Sequence, residues 1–266
     1  MGLNQAKAAG ALRFGLTPVF LDEQAGRLRH WRRYLERHLE RPVSFVQRGS
    51  YREVIELLRD GRLDVAWICG YPYVRESAML QLVVSPLYQQ QPLYQSYLIV
   101  PHQDFSTQNL EDLQGRLFAY SDPDSLSGYL LPRHRLLELD YDPEQFFQRS
   151  IFTWTHRNSI RAVADQLVDA AAVDGYVWDM LEQAEPMTAG LTRVVCRSDP
   201  YGFPPIVARK SLDPNVTTAL TEVLENMPDD PVGEEILQWL GLDGFRATDT
   251  HLYDDLRALV IRHEAA

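Results

Sequence analysis

The sequence is poor in lysine and contains no long hydrophobic run. Only Lys7 and Lys210 are lysines, and the formal net charge is -11. A chain this acidic is a poor match for nucleic acid or for an acidic membrane surface. No apolar run approaches ~20 residues, so no segment is predicted to span a membrane. No signal peptide is recognised in the first residues.

Cysteine and the common catalytic motifs are also scarce. Cys69 and Cys196 lie far apart and form no CxxC pair, which gives no support for a metal cluster. Spacing alone leaves a disulfide between them open. The chain has no GxSxG, no HExxH, no P-loop and no GxGxxG after a strand. Ser127, His156 and Asp174 can be named as a hydrolytic set, but nothing in the pattern requires one. No catalytic residue, metal or cofactor is predicted.

Apolar content is sufficient for a folded core, at 45% of 266 residues, and it is distributed in an alternating pattern. Short apolar runs rich in β-forming residues alternate with helical periodicity, which predicts a mostly parallel sheet covered by helices. Ser50 with Glu53 is a helix-start signal, and Gly61 is the matching stop. The predicted strands in this half are "ALRFGLTP", "VSFVQRG" and "LDVAWICG", and the predicted helices are 22–39 and "SYREVIELLRDG".

The second half repeats this order of elements. "LDVAWICGYPYV" begins near Asp64 and "VDAAAVDGYVWD" near Asp169, and both pass through a Gly-aromatic pair into another segment. Two similar α/β lobes explain this repeated order of elements better than a solenoid does, because the repeat is too long for a solenoid. Two extended Pro- and Tyr-containing stretches between the halves predict a hinge, with a ligand cleft between the lobes. From about Leu212 the chain is predicted to be helical and to return to the first lobe.

The candidate site follows from the position of the strand ends. In α/β sheets, ligands bind at the carboxyl ends of the strands. The residues that follow these ends, with one residue from each connector, form the predicted binding set: Tyr51, Tyr71, Tyr73, Tyr94, Ser125, Leu126, Ser127, Gly128, His156, Asp174 and Tyr201. Tyr71 and Tyr73 flank Pro72 in what is predicted to be a loop, and loop tyrosines at strand ends more often line a cleft.

The loop "SDPDSLSG" is the most informative stretch. Ser125 and Ser127 can add hydroxyl donors to the free N–H groups of a helix start, and Gly128 allows close approach of the backbone. Such a cradle holds an anion without lysine, although a plain helix cap explains the same residues. Asp122 and Asp124 would repel an anion unless they face away or hold backbone N–H groups.

His156 and Asp174 have environments that depend on the fold. A helix start lowers the pKa of His156, whereas a bound anion would raise it. A histidine that only caps its helix remains the alternative. Asp174 ends a strand so apolar that its carboxylate must either meet a partner or face the cleft.

The chain resembles the phosphate/phosphite/phosphonate-binding branch of the type II periplasmic solute-binding proteins. The matching pieces are "SYREVIELLRDGRLDVAWICGYPYV", "QSYLIVPHQDF", "DLQGRLFAYSDPDSLSGYLLP", "HRNSIRAVADQLVDAAAVDGYVWD" and "SDPYGFPPIVARK", in the family's order. The resemblance implies an α/β fold of two lobes, with a cleft and two hinge connectors. The expected boundaries are residues 11–97 plus 208–266 for the first lobe and 98–207 for the second.

The resemblance also implies roles for individual residues. Ser125, Ser127 and the N–H groups around Gly128 would hold the oxyanion, and His156 would donate to the same oxygens. Tyr51 and Tyr94 would approach from the first lobe or the hinge, and Asp174 would face a ligand amine. The family's loop typically reads Ser-Ser-Thr-Ser-Gly, so Leu126 removes a hydroxyl donor and Asp124 adds a charge.

The implied function is binding of a small, anionic, phosphonate-like ligand for an ABC importer. The implied partner is the importer's permease, the implied state is a monomer, and the implied location is periplasmic or extracytoplasmic. Two alternatives remain: a ligand-sensing domain of a signalling system with the same fold, and a carboxylate- or amine-bearing ligand. An enzyme is the weakest alternative, with Cys69 or His156 as the groups to test.

Overall fold

The computed structural model describes residues 10–17 and 25–264. The predicted first turn of the long helix, at residues 22–24, therefore lies outside the described residues. The fold contains two separate sheets joined by a short two-stranded ribbon. The strands are β1 (Leu12–Leu16), β2 (Val43–Gln47), β3 (Val65–Trp67), β4 (Leu80–Leu87), β5 (Leu93–Tyr94), β6 (Ser96–Pro101), β7 (Leu117–Tyr120), β8 (Arg149–Phe152), β9 (Ala170–Asp174), β10 (Thr192–Arg197), β11 (Tyr201–Gly202), β12 (Ile206–Arg209) and β13 (Gly244–Arg246).

The first sheet has the order β13-β4-β12-β3-β1-β2, and the second has the order β10-β6-β9-β7-β8. Strands β1, β2 and β3 pair in parallel, as do β7, β8 and β9, while the strands next to the connectors are antiparallel. The helices are α1 (Ala25–His38), α2 (Tyr51–Arg59), α3 (Gly70–Arg75), α4 (Leu131–Glu138), α5 (His156–Ala164), α6 (Gly175–Ala184), α7 (Pro186–Ala189), α8 (Pro214–Glu225), α9 (Pro231–Leu240) and α10 (Asp254–Glu264). The predicted two-lobed α/β fold is confirmed.

The similar segments that begin near Asp64 and Asp169 make the same contact in the two lobes. Asp64 precedes β3 and donates its N–H to the Arg13 carbonyl, while its Oδ2 accepts the Arg13 N–H at 2.9 Å. Asp169 precedes β9 and does the same with Leu117, whose N–H lies 2.8 Å from its Oδ2. Each lobe therefore uses an aspartate to lock its central strand to the neighbouring parallel strand.

The connectors are extended, as predicted. Strand β5 pairs antiparallel with β11, and Tyr94 lies opposite Tyr201. Ser96 and Ser198 hold the second-lobe ends of the two connectors together, because the Ser96 N–H donates to Ser198 Oγ at 2.9 Å. Strand β6, which starts at Ser96, belongs to the second sheet, and β12, which starts at Ile206, belongs to the first. The boundaries at 97/98 and 207/208 remain a prediction.

The predicted C-terminal helices return to the first lobe. Helix α8 packs on β4 and β13, α9 packs on α1, and α10 packs on α3. One local prediction is wrong: Tyr71 and Tyr73 lie in helix α3 and not in a loop, since Pro72 falls in the first helical turn, where proline is tolerated. No helix among the described residues is long and apolar enough to cross a membrane.

Asp64 offers a test of the aspartate lock. Its carboxylate also pairs with the Arg13 and Arg209 guanidinium groups, at 2.6 Å and 3.1 Å. Burial alone would raise the pKa of Asp64, but its hydrogen bonds to the two arginines lower it below the usual value. We expect Asp64→Asn to lower the free energy of unfolding by about 1.5–3 kcal/mol, as for loss of a charge-assisted hydrogen bond.

Urea unfolding at several pH values measures this effect. Because the folded-state pKa is lowered, the wild-type advantage is present above pH ~4 and is lost as the pH falls through the folded pKa. Asp169→Asn is the matched comparison and should cost less, because the Asp169 carboxylate accepts the neutral Leu117 N–H and pairs with no arginine among the described residues. Equal losses in the two variants would contradict this account of Asp64.

Candidate ligand site between the lobes

A small cavity lies where the strand ends of the two lobes face each other. Its volume is about 20 Å³, which is the space of roughly one water molecule. The lining residues come from both lobes and from the second connector: Thr17, Tyr51, Trp67, Cys69, His156, Asp174, Tyr176, Phe203 and Pro204. Among the described residues, neither arginine nor lysine lines this cavity.

Tyr51 and His156 are equivalent residues of the two lobes. Each is the first residue of the helix that follows the second parallel strand of its lobe, β2 or β8, and the preceding residues, Ser50 and Thr155, cap these helices with their hydroxyls. The predicted Ser50 cap is thereby confirmed. The Tyr51 hydroxyl lies 3.4 Å from His156 Nε2, although the two residues are 105 positions apart in the chain. The two helix starts therefore meet across the cleft.

His156 is a neutral hydrogen-bond donor in this setting. Its Nδ1 accepts the Asp174 N–H at 3.1 Å, so the ring proton lies on Nε2, facing Tyr51. Burial lowers the pKa of His156 to about 3, and the imidazole stays uncharged at physiological pH. The sequence-based expectation of a lowered pKa is correct in direction, and the main cause is burial.

The loop before α4 forms a π-helical turn, Leu126–Leu130, and not the start of a plain α-helix. Ser125 caps this turn, because its Oγ accepts the Gly128 N–H at 3.0 Å. The Ser127 hydroxyl is buried and makes no hydrogen bond of normal geometry among the described residues, and the same holds for the Tyr94 hydroxyl. The two hydroxyls nevertheless lie close enough to interact. Ser125 is thus a structural cap, whereas Ser127 keeps an unused hydroxyl.

Gly128 is required by a close approach. A Cβ atom at this position would lie 1.9 Å from Ser121 Oγ and 3.0 Å from His156 Cε1. The Ser121 N–H also donates to the Gly128 carbonyl at 3.2 Å. Glycine therefore lets the π-helical turn pack directly against the histidine that faces the cleft.

The two aspartates of this loop hold the lobes together. Asp122 is buried and accepts two backbone N–H groups, that of Asp124 at 2.8 Å and that of Tyr51, in the other lobe, at 3.2 Å. Asp124 pairs with Arg75 of the first lobe at 3.1 Å and lies 4.0 Å from Arg52. Neither carboxylate lines the cavity. Both carboxylates therefore have partners in the protein and do not face the cavity. This meets the condition under which the two aspartates would not repel an anion.

Asp174 lines the cavity and caps helix α6. Its Oδ1 accepts the Val177 N–H at 3.3 Å. Burial is the largest influence on this carboxyl and raises its pKa to about 7, against the lowering effect of the Val177 and Tyr176 N–H groups. Cys69 occupies the equivalent position of the first lobe, since Asp174 ends β9, Cys69 lies two residues after β3, and both precede Gly-Tyr.

Of the eleven predicted residues, Tyr51, His156 and Asp174 line the cavity, and the other eight do not. Tyr73 packs edge-on against Tyr253 in the core, 5.0 Å between ring centroids, and Tyr71 lies under the Arg75 guanidinium. Leu126 is fully buried, and its N–H donates to Cys69 Sγ at 3.3 Å. Tyr201 lines a separate cavity of about 530 Å³ between α4, α10 and the second connector.

The predicted set lacks six lining residues: Thr17, Trp67, Cys69, Tyr176, Phe203 and Pro204. All six lie near strand ends or in the second connector, and the strand-end rule that found Tyr51 could have included them. Sequence reasoning also missed Asp122 as a contact between the lobes. No sequence pattern indicates that contact, because its partner is 71 residues away.

The geometry gives no support for hydrolysis or metal binding. Ser127 Oγ has no hydrogen bond of normal geometry to His156, and His156 Nδ1 contacts the Asp174 backbone and not its carboxylate. The described residues contain no cluster of three His, Cys, Asp or Glu side chains suited to a metal ion. Cys69 and Cys196 are both free thiols, so the disulfide left open by the sequence is absent between them.

The raised pKa of Asp174 predicts a pH dependence. Below pH ~4 both the folded and the unfolded states hold the proton, and as the pH rises through about 7 the folded state must ionise a buried carboxyl. The stability that this group contributes is therefore lost across that window. We expect the melting temperature of Asp174→Asn, relative to wild type, to rise between pH 4 and pH 8.

Melting curves of the two proteins at matched pH values measure this difference. The lowered pKa of His156 acts in the opposite direction, with stability lost as the pH falls below ~6.5, but both proteins share it. Its contribution therefore cancels when the two curves are subtracted. A difference that does not vary with pH would show that Asp174 titrates normally.

The Asp124–Arg75 pair predicts a charge-swap effect on lobe closure. Asp124→Arg places like charges beside Arg75 and Arg52, so the lobes should separate and the radius of gyration in solution should increase. Adding Arg75→Asp restores one ion pair and should restore the compact form. Small-angle X-ray scattering measures this, and identical curves for all three proteins would show that the pair does not influence closure.

Comparison with known proteins identifies the family. Residues 14–253 match the family model described as "ABC transporter, phosphonate, periplasmic substrate-binding protein". The phosphonates-binding periplasmic protein of Escherichia coli is 27% identical, over 96% of this chain and 76% of its own. The phosphate-import protein PhnD of Mycolicibacterium smegmatis is also 27% identical, over 70% of this chain and 62% of its own.

A solved structure gives the same fold. The binding component of an ABC phosphonate transporter from Pseudomonas aeruginosa superposes with a TM-score of 0.87 at 22% identity, covering 96% of this chain and 87% of its own. The expected type II two-lobed fold is therefore confirmed. Since the family model covers most of the sequence, the chain belongs to the phosphonate-binding family of ABC-transporter periplasmic substrate-binding proteins.

Proposed function

We propose that this chain binds a phosphonate-like oxyanion in the cavity between its lobes and delivers it to the permease of an ABC importer. The observation that carries the proposal is a group of buried neutral donors in one region between the lobes, of which Tyr51 and His156 line the cavity. The His156 Nε2–H and the hydroxyls of Tyr51, Tyr94 and Ser127 come from both lobes and the hinge. Two of these hydroxyls lack a hydrogen bond of normal geometry within the described residues.

Neutral donors suit an anion in this protein for an electrostatic reason. With a net charge of -11, the long-range field repels anions, so recognition has to act at short range. Helix starts supply a partial positive charge without a cationic side chain, and two of them face the cavity at Tyr51 and His156. The names of the E. coli and M. smegmatis relatives indicate the same ligand class, a phosphorus oxyanion.

The residues divide into direct and supporting roles in this proposal. Tyr51, Tyr94, Ser127 and His156 donate to the oxyanion, and Asp174 faces the substituent of the ligand. Ser125 and Gly128 shape the turn that presents Ser127. Because the described cavity has room for about one water, ligand entry requires the lobes to swing apart about the connectors. Leu126, Tyr71, Tyr73 and Tyr201 lie outside the cavity and act as packing residues.

Asp174 distinguishes subclasses of ligand. A carboxyl with a pKa of about 7 can accept from an ammonium group once ionised, or donate to an oxygen while protonated. An aminoalkylphosphonate would use the first state and a simple alkylphosphonate would not. A ligand of another class, with a carboxylate or an amine alone, is the alternative that the same cavity leaves open.

The setting of the protein belongs to the proposal as well. We place the chain outside the cytoplasm, as a monomer without catalytic activity and without a nucleic-acid partner. A ligand-sensing domain of a signalling system is the second candidate, since the same binding chemistry serves both roles. A kinase module in the same reading frame, in place of neighbouring permease and ATPase genes, would favour the sensor.

Titration calorimetry with a panel of ligands tests the ligand class. The panel contains phosphate, phosphite, methylphosphonate, 2-aminoethylphosphonate, an alkylsulfonate, simple carboxylates and a quaternary amine. A phosphorus oxyanion should bind most tightly. Exclusive binding of carboxylates or amines would overturn the proposed class while leaving the family assignment intact.

Ser127→Ala tests the site within that panel. The Ser127 hydroxyl has no hydrogen bond of normal geometry in the protein, so its removal should leave the melting temperature unchanged or slightly higher. Affinity for the best oxyanion should fall about tenfold or more, because one charge-assisted hydrogen bond is lost. Thermal melting and calorimetry on the same sample measure both quantities.

Ser85→Ala is the control with the opposite pattern. Ser85 is fully buried in the first lobe and contacts the hydroxyls of Thr248 at 2.8 Å and Tyr253 at 2.9 Å. Its removal should lower the melting temperature and leave affinity unchanged. If Ser127→Ala instead loses stability and keeps affinity, the loop is only a structural cap.

A further inference from the structure

Ser96 is a buried serine at the point where the first connector enters the second sheet. It is the first residue of β6. Its backbone is paired with the second connector, because its N–H donates to Ser198 Oγ and its carbonyl accepts the Ser198 N–H, each at 2.9 Å. These two bonds use both backbone polar groups of Ser96 and leave its side-chain hydroxyl for another partner.

That partner belongs to the π-helical turn before α4. Ser96 Oγ donates to the Ser127 carbonyl at 2.7 Å, in a buried environment and across 31 positions of the chain. The other polar group of the same peptide unit is the Gly128 N–H, which donates to Ser125 Oγ at 3.0 Å. A peptide unit is planar, and its C=O and N–H point in opposite directions. The hydroxyls of Ser96 and Ser125 therefore hold this unit from both sides.

The backbone at Ser127 is thus fixed, while its own hydroxyl stays available. This hydroxyl is buried and makes no hydrogen bond of normal geometry among the described residues. A serine hydroxyl donates well only when the backbone holds it at the right distance and angle from its acceptor. The three serines therefore differ in what they do: Ser96 and Ser125 hold the peptide unit that follows Ser127, and Ser127 offers a free donor.

We propose that Ser96 is a positioning residue for ligand binding, which fixes the peptide unit between Ser127 and Gly128 and so orients the Ser127 hydroxyl for the oxyanion. The inference rests on the proposed function and gives a role to a residue that does not line the cavity between the lobes. Because the backbone of Ser96 also pairs with Ser198, the turn is fixed where both connectors enter the second lobe. The turn then moves with the second sheet as one unit, and the donor is oriented before the lobes close.

A double-mutant cycle with Ser127→Ala tests this role. Calorimetry measures the dissociation constants of methylphosphonate and inorganic phosphate for wild type, Ser96→Ala, Ser127→Ala and the double variant, at one pH and ionic strength. Ser96→Ala should weaken binding of the tighter probe about fivefold, which is the size of one neutral hydrogen bond. In the Ser127→Ala background the same change should weaken binding less than about twofold, because the hydroxyl that Ser96 positions is absent.

Thr192→Val is the matched control. Thr192 is a buried residue of the same lobe, whose Oγ1 donates to the Ala189 carbonyl at 2.8 Å and accepts the Trp178 Nε1–H at 3.0 Å. It lies opposite Pro101, at the other end of β6 from Ser96. Thr192→Val and Ser96→Ala should both lower the melting temperature, because each leaves a buried carbonyl without its donor. Only Ser96→Ala should weaken binding.

Ser96→Cys decides the question if Ser96→Ala does not fold. A thiol is close in size to the hydroxyl but is only a weak donor. Ser96→Cys should therefore weaken binding in the same direction as Ser96→Ala, and again only while Ser127 is present.

The outcomes separate this inference from the proposed function. If wild type binds a phosphorus oxyanion and the Ser96 variants bind it as tightly, the role of Ser96 is wrong and the proposed function stands. An equal loss with and without the Ser127 hydroxyl would also overturn the inference, because Ser96 would then act independently of Ser127. The same holds if Ser127→Ala itself binds as tightly as wild type. If wild type binds neither probe, the proposed function fails and this inference fails with it.

Discussion

The structure depends on helix starts that face each other across the cleft without a cationic side chain between them. Tyr51 opens α2 and His156 opens α5, and their polar atoms meet at 3.4 Å. Each helix start carries a partial positive charge, and the first residues of both helices line the cavity. Asp122 satisfies part of it in the protein itself, by accepting the Tyr51 N–H across the lobe boundary. The same local potential is what an oxyanion ligand would use.

Internal symmetry explains how the cleft is assembled. Asp64 and Asp169 lock equivalent strand pairs, Tyr51 and His156 open equivalent helices, and Cys69 and Asp174 immediately precede the next ones. Within the last two pairs the side-chain chemistry differs. The Tyr51 phenol corresponds to the His156 imidazole, and the Cys69 thiol corresponds to the Asp174 carboxyl. The backbone is thus repeated, whereas the side chains that line the cavity are not. Under the proposed function, such a site would suit an asymmetric ligand with an oxyanion at one end and a substituent at the other.

Much of the fold is readable from the sequence, because its signals are local. Alternating apolar runs, the Ser50 cap and the Gly61 stop each concern neighbouring residues, and the strand-end rule brings Tyr51, His156 and Asp174 together correctly. The errors arise where one local sequence pattern is compatible with two different structures. Pro72 indicated a loop but lies in the first turn of α3, which turns Tyr73 into the core beside Tyr253. Contacts such as Cys69 with Leu126 depend on how two lobes dock, and no local pattern encodes them.

The uncharged state of His156 follows from the same docking and has a consequence for selectivity. Burial keeps the imidazole neutral, and the Asp174 N–H fixes its proton on Nε2. A neutral donor binds an anion less strongly than a cation would, but it adds no charge to a buried site when the cleft is empty. Affinity then depends on the number of donors that a ligand can fill at once. A ligand that leaves one of these buried donors unfilled is then disfavoured, because an unsatisfied buried polar group is costly.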